Sequence, residues 1–141
     1  MEILEHILAK YGVEKKAKYI DNSINKVELI AGFKLPEDYK MFVSNYYGFE
    51  GFIGSEYICL WNFEDIIERN MEYQIFEDLT KTLAIGGNAG GEYIAIELIG
   101  DNQYRIVLSP FIIIDTEARI EVGRSFTNFL ENLDDGKEWF S

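Results

Sequence analysis

The sequence predicts an α+β fold in which helices pack against a mostly antiparallel sheet of about four to six short strands. In the first third of the chain and near its end, apolar residues recur every three to four positions, as in amphipathic helices. Between 82 and 123 they form short runs separated by turn residues, too close for the long crossovers that parallel strands need. We therefore expect N-terminal helices, a sheet in the second half and a C-terminal helix.

Three helices are predicted before residue 50 from this spacing. The second begins at the capping residue Ser23 and the third at Pro36, and a glycine follows the end of each of the three. The predicted spans are 2–11, the segment from the cap Ser23 to Gly32, and 36–47. The third helix is expected to bury an aromatic-rich stripe that comprises Tyr39, Phe42, Val43 and Tyr46.

The middle of the chain is predicted to change from loop to strand to helix. Glycines punctuate 48–54, which indicates a loop, and bulky residues at 57–61 indicate a strand. A helix is expected over about 63–73, with Asn62 and Asp65 as a capping pair.

Short strands are predicted in most of the remaining chain. They cover 82–86, 92–98, 103–108, 111–115 and 120–123. The run at 111–115 is apolar on both faces, which is typical of a strand near the middle of a sheet. Ser125 is expected to cap a last helix whose inward residues are Phe126, Phe129, Leu130 and Leu133.

The bulk composition is that of a globular protein with an unusual charge. The 141 residues are 48% hydrophobic and carry a net charge of −12. At this length we expect one domain over 1–141, with 1–12 as an additional N-terminal helix. One cysteine, Cys59, an acidic amphipathic start and short apolar runs predict a cytoplasmic protein that does not cross a membrane.

The acidic residues are unevenly distributed along the chain. Acids and bases balance in 1–40, whereas Arg69 is the only base in 41–80, a region with eight acids. Such a field repels phosphate, so DNA and RNA are not expected as partners. The surplus serves either solubility or attraction to a basic protein.

The glycine-rich stretch IGGNAGGEYIAIEL at 85–98 raises the question of a phosphate-binding loop. A Walker-type loop needs Lys and a hydroxyl residue after its last glycine, but Glu92 and Tyr93 stand there. The stretch also leads into a predicted strand, whereas phosphate loops open a helix. We therefore expect these glycines to shape a sharp connection between strands.

No sequence motif identifies a reaction. The only histidine, His6, is expected on the surface of the first helix, and Cys59 lies within an apolar strand, where burial raises a thiol pKa. Metal-binding spacings such as CxxC, HExxH or an EF-hand loop are not found. We expect no enzyme activity, no metal and no cofactor.

Acidic residues recur every four positions in the predicted helix at 63–73. Glu64, Glu68 and Glu72 have like charges facing one another, which helix preference alone does not favour. They form either a solvated outer face or a docking stripe for Lys and Arg of a partner. A paired-carboxylate hydrolase site is a third, weaker alternative.

Four segments in order resemble the SUKH superfamily, which includes the yeast Smi/Knr-type cell-wall regulators and many bacterial immunity proteins. They are the helix ending at Gly32, LPEDYKMFVSNYYG, IGGNAGGEYIAIEL and SFTNFLENL, and the resemblance covers about 20–133. The matching residues are Leu35, Pro36, Asp38, Tyr39, Phe42, Gly90, Gly91, Tyr93, Ala95, Ile96, Ser125, Phe126, Phe129 and Leu130. Their chemistry is that of glycines, caps and core aromatics, so we expect structural roles for them.

The resemblance implies a non-enzymatic binding domain, similar to cytoplasmic immunity proteins that neutralise a toxin, often a basic nuclease. The alternative that it implies is a regulatory module acting on an endogenous partner. In either case the partner should contact the variable acidic surface with aromatic anchors within it. The predicted contact residues are Glu50, Glu56, Glu64, Asp65, Glu68, Glu72, Tyr47, Phe49 and Phe52.

Overall fold

A computed structural model describes residues 2–17, 23–111 and 119–140 of the chain. The helices are α1 (Glu2–Lys10), α2 (Ser23–Ala31), α3 (Glu37–Asn45), α4 (Ile66–Glu72), α5 (Ile75–Asp78) and α6 (Phe126–Asp134), with a 3₁₀ turn at Phe63–Asp65. The strands are β1 (Phe49–Ile53), β2 (Glu56–Leu60), β3 (Thr82–Gly87), β4 (Glu92–Gly100), β5 (Gln103–Pro110) and β6 (Ile120–Gly123).

The six strands form one antiparallel sheet in which each strand pairs with its neighbours in sequence, in the order β1-β2-β3-β4-β5-β6. This confirms the predicted α+β class with N- and C-terminal helices. The middle of the sheet is formed by β3 and β4. The strand predicted at 111–115 lies outside the described residues apart from Phe111, which follows β5.

The third helix is shorter than predicted. It ends at Asn45 because Tyr46 is extended, with φ −134° and ψ 152°, and pairs with Lys15 in an isolated antiparallel bridge. The burial of its aromatic-rich stripe was predicted correctly, since all four residues are buried. Pairing with a distant segment therefore overrides the local helical pattern in the last turn.

Two predictions for the middle of the chain are wrong. Residues 49–53 form β1 rather than a loop, because they pair along their whole length with β2. The helix predicted at about 63–73 is present over 63–72, as the 3₁₀ turn followed by α4, and the second error concerns its predicted cap. Asn62 makes no side-chain cap; its Oδ1 instead accepts a hydrogen bond from the backbone N–H of Gly48 at 2.7 Å.

Aromatic side chains join α3 to α6 in the core. The ring of Phe126 lies 5.2 Å from that of Tyr39 and 5.1 Å from that of Phe42. Gly123 of β6 faces α6, where a Cβ atom would lie 2.6 Å from Cβ of Phe129. Since Gly123 pairs with Ile106 of β5, α6 lies on the sheet face that carries Ile106.

The acid in the LPEDYK motif connects two helix starts. Oδ2 of Asp38 accepts hydrogen bonds from the backbone N–H and the hydroxyl of Thr127, both at 2.8 Å. Ser125 caps α6 by accepting from the backbone N–H of Asn128 at 2.9 Å. These bonds satisfy donors that a helix N-terminus otherwise leaves unpaired.

The glycine-rich stretch forms the hairpin between β3 and β4. Gly86 lies so close to β2 that a Cβ atom would come within 2.0 Å of the Cys59 carbonyl oxygen, and Gly91 has a positive φ of 98°. Asn88 Oδ1 accepts from the backbone N–H groups of Gly90 and Glu92. The glycines thus serve close strand approach and a tight turn.

Asn70 of α4 provides hydrogen bonds to the backbone of β3 where β2 no longer pairs with it. β2 pairs with β3 only at Gly86 and Gly87. At Ala84, the backbone N–H donates to Asn70 Oδ1 at 2.8 Å, and the carbonyl accepts from Asn70 Nδ2 at 2.9 Å. One buried amide therefore replaces a neighbouring strand and holds α4 on the sheet.

Within the described ranges, none of the helices combines the length and the apolar character that a membrane crossing requires. The same residues contain no group of three or more His, Cys, Asp or Glu side chains in position to hold a metal ion.

Candidate protein-binding surface

The outer side of the β1–β2 hairpin presents an acid and two aromatic rings. In the antiparallel register Glu50 lies opposite Cys59, and Phe52 lies opposite Tyr57. Directly opposite residues share a face, so these four side chains define one surface, which we call the hairpin face. Phe52 is 61% exposed, and its ring packs edge-on against that of Tyr57 at 5.3 Å.

The titratable groups of the hairpin face influence one another. The neighbouring Glu50 carboxylate is the main cause that raises the pKa of the Tyr57 hydroxyl. Burial raises the pKa of the Cys59 thiol, Glu50 raises it further, and Arg69 opposes this. The direction of the shift favours the protonated thiol, as the sequence predicts.

A cleft of about 240 Å³ lies between the hairpin and the start of α4. It is lined by Gly48, Phe49, Glu50, Cys59, Leu60, Trp61, Asn62, Asp65 and Arg69. The guanidinium of Arg69 lies over the ring of Trp61 at 5.4 Å, while the carboxylates of Glu50 and Asp65 come from the two sides of the cleft. The predicted contact residues Glu50 and Asp65, 15 positions apart in sequence, thus meet at one place.

The acids along α4 remain in solvent. Asp65, Glu68 and Glu72 are exposed, and among the residues that the structure describes their carboxylates have no hydrogen-bond or ion-pair partner. Glu68 and Glu72 lie one turn apart in α4, so their charges repel. Of these acids, Asp65 lines the cleft together with Glu50, and Arg69 is the basic residue among the lining residues that the structure describes.

Glu64 and Tyr47 form a separate group around one lysine. Glu64 lies in the 3₁₀ turn, and its carboxylate is 3.3 Å from Nζ of Lys16. The same Nζ donates to the carbonyl of Val43 at 2.9 Å and lies 5.8 Å from the centre of the Tyr47 ring. Glu64 is therefore partly neutralised, and it does not continue the row formed by Glu68 and Glu72.

Glu56 and Phe49 lie on the opposite side of the hairpin from the hairpin face. Glu56 faces Ile53 in the register, and its carboxylate accepts a hydrogen bond from the backbone N–H of Trp139 at 2.7 Å. Phe49 faces Leu60 and packs against the core, although it also touches the cleft. Both residues have structural contacts where the sequence predicts partner contacts.

An aromatic row next to the cleft was not predicted from the sequence. The ring of Trp61 stacks on that of Tyr73, with ring centroids 6.2 Å apart. The centroid distances are 4.4 Å between Tyr73 and Phe111 and 5.3 Å between Phe111 and Tyr93. Tyr73 is partly exposed. The alternation of Tyr57, Cys59 and Trp61 could have indicated that these side chains share one face of the strand. Which of them stay at the surface depends on where α4 packs, and the sequence does not show this.

Comparison with protein families gives a match between residues 21–132 and the SMI1/KNR4 family (SUKH-1). Comparison with curated protein sequences gives no match. The matched residues run from just before α2 into α6, and they contain the hairpin face, the cleft and the Asp38–Thr127 link described above. The chain therefore belongs to the SMI1/KNR4 family (SUKH-1).

Proposed function

We propose that this protein is a non-enzymatic, cytoplasmic immunity protein that binds and neutralises a basic toxin domain of nuclease type. Membership of the SUKH-1 family supports a protein-interaction or immunity-type domain in general. The observation that supports the specific proposal is the exposed acidic and aromatic surface formed by the hairpin face and α4. We call it the acidic surface; it comprises Glu50, Phe52, Tyr57, Asp65, Glu68 and Glu72.

The charge of the acidic surface suits a partner that binds nucleic acid. A nuclease needs Lys and Arg to hold phosphates, so its substrate cleft is positive. A negative protein surface accelerates encounter with such a cleft and blocks it once bound. Phe52 and Tyr57 add aromatic area next to Glu50, and aromatic side chains supply much of the binding energy of interfaces.

The proposal is tested by measuring binding to the product of the neighbouring gene in biolayer interferometry at increasing salt concentration. We expect an association rate that falls steeply with ionic strength, because exposed charges are screened beyond about 10 Å at 0.1 M salt. Glu50→Lys should slow association, whereas Glu121→Lys, at a glutamate on β6 that is also exposed, should change it little.

The outcomes separate this function from the alternatives. Absence of a complex, or an association rate that is indifferent to salt and to Glu50→Lys, would argue against the proposal. An isolated locus without a toxin gene, together with binding to an endogenous partner, would favour a regulatory module instead.

A further inference from the structure

The strand β1 lies at one end of the sheet, and its outer backbone edge is available. It pairs only with β2, because the sheet order begins with β1. Among the described residues, no segment other than β2 makes a backbone hydrogen bond with Phe49–Ile53. At its turn end β1 is blocked, since Gly54 lies against the carbonyl of Leu133 in α6. The available edge therefore runs over 49–52.

The opposite edge strand, β6, is engaged by side chains of α6. Asn132 Nδ2 donates to the carbonyl of Val122 at 3.2 Å, and Asn128 Oδ1 accepts from the backbone N–H of Arg124 at 3.0 Å. Natural sheets usually protect an edge in this way, because unpaired strand groups attract further strands. β1 has no such protection from the described residues.

The side chains of β1 specify the kind of strand that fits beside it. Glu50 and Phe52 project from the hairpin face, so an added strand would place its neighbouring side chains next to one carboxylate and one aromatic ring. Lysine suits both, because it pairs with a carboxylate and interacts favourably with a ring. On the other side the ring of Phe49 lies over Gly51, where a Cβ atom would come within 3.0 Å of its Cζ, so this part of the edge favours a small or apolar neighbour.

We infer that β1 binds its partner by strand addition, and that the added strand alternates cationic and apolar residues. This inference rests on the proposed protein-binding function and defines how it is carried out. Main-chain hydrogen bonds would supply affinity, and the alternating side chains would supply selectivity. A cationic strand in this position also lies beside Glu50, which lines the cleft.

The experiment uses an acetylated octapeptide of alternating lysine and valine, titrated into the full chain while backbone amide NMR shifts are recorded. Two control peptides are included: one with alternate backbone amides N-methylated, and one in which glutamate replaces lysine. We expect shift changes centred on 49–52 with the lysine peptide. Both controls should bind far more weakly, and Glu50→Lys should lower affinity on the order of tenfold, while Glu121→Lys should not.

Equal binding of the N-methylated peptide would overturn the inference, because attraction without backbone hydrogen bonds would then be sufficient. Shifts confined to α4, or no shifts in 49–52 at saturating peptide, would overturn it as well. The result is separate from the test of the proposed function. A salt-sensitive complex with the neighbouring gene product can exist without strand addition, and strand addition can occur without that partner.

Discussion

Replacement of Asn70 by alanine should destabilise the protein more than its size implies. Asn70 and Ala84 are both fully buried, and the Asn70 amide is the hydrogen-bond partner of both Ala84 backbone groups. In Asn70→Ala these two groups lose their partner, at about 1–3 kcal/mol each. The sum of about 2–6 kcal/mol is a large part of the roughly 5–15 kcal/mol that stabilises a typical domain.

The measurement is thermal and urea unfolding followed by circular dichroism. Since Tm changes by about 2–4 °C per kcal/mol for a chain of this size, it should fall by about 4–24 °C. Asn45→Ala is the matched control, because Asn45 is exposed and donates to the Met41 carbonyl four residues earlier, as Asn70 does to that of Ile66. The control should lose no more than about 0.5 kcal/mol. Equal losses in the two variants would refute the reasoning.

Asn70→Asp gives an independent test by pH. An oxygen would replace Nδ2 opposite the Ala84 and Ile66 carbonyls, so only the protonated carboxyl could donate there. Its folded-state pKa should therefore lie above the usual value of about 3.9. The difference in unfolding free energy between wild type and Asn70→Asp should be smallest below the usual pKa of about 3.9. It should grow as pH rises and level off above the folded-state pKa.

Three further predictions concern the core and the hairpins. Tyr39→Phe should stabilise the protein by about 1 kcal/mol, because the buried Tyr39 hydroxyl has no partner in the described structure. Burial raises the pKa of Tyr39, so above the unfolded pKa near about 10 the hydroxyl ionises more readily in the unfolded chain and stability falls with pH; the variant lacks this group, so its Tm should fall less steeply at alkaline pH. Asp38→Ala should cost about 1–3 kcal/mol in urea unfolding, because it removes both bonds to Thr127. Gly86→Ala should lower Tm by several degrees because its Cβ would meet the backbone of β2, whereas Gly90→Ala has room.

Each of these predictions has a contrary result. An unchanged alkaline transition in the phenylalanine variant would mean that the Tyr39 hydroxyl ionises in the folded state. An Asp38→Ala protein as stable as wild type would mean that the two helix starts hold together without the carboxylate. Equal Tm values for the two glycine variants would mean that the strands can separate at Gly86 without cost.

The sequence alone determined the fold class, most of the elements and the family. Period-3.6 and period-2 patterns are local properties, and so are the glycine, proline and serine signals at element ends. The motifs around Asp38, Gly91 and Ser125 were recognisable because caps and tight turns need particular residue types within a few positions.

The tertiary structure decided what pairs with what and which acids share a surface. β1 was not predicted because a glycine-containing segment becomes a strand only through pairing with β2. The sequence pattern at Asn62 is that of a helix cap, but its side chain accepts a hydrogen bond from the backbone N–H of Gly48. The sequence suggests a surface acid at Glu56, but its carboxylate accepts a hydrogen bond from the backbone N–H of Trp139. Contacts between residues distant in sequence depend on where the chain folds back. Local patterns could therefore identify the acids, but only the folded chain places Glu50 and Asp65 at the same cleft and Glu56 on the opposite face of the hairpin.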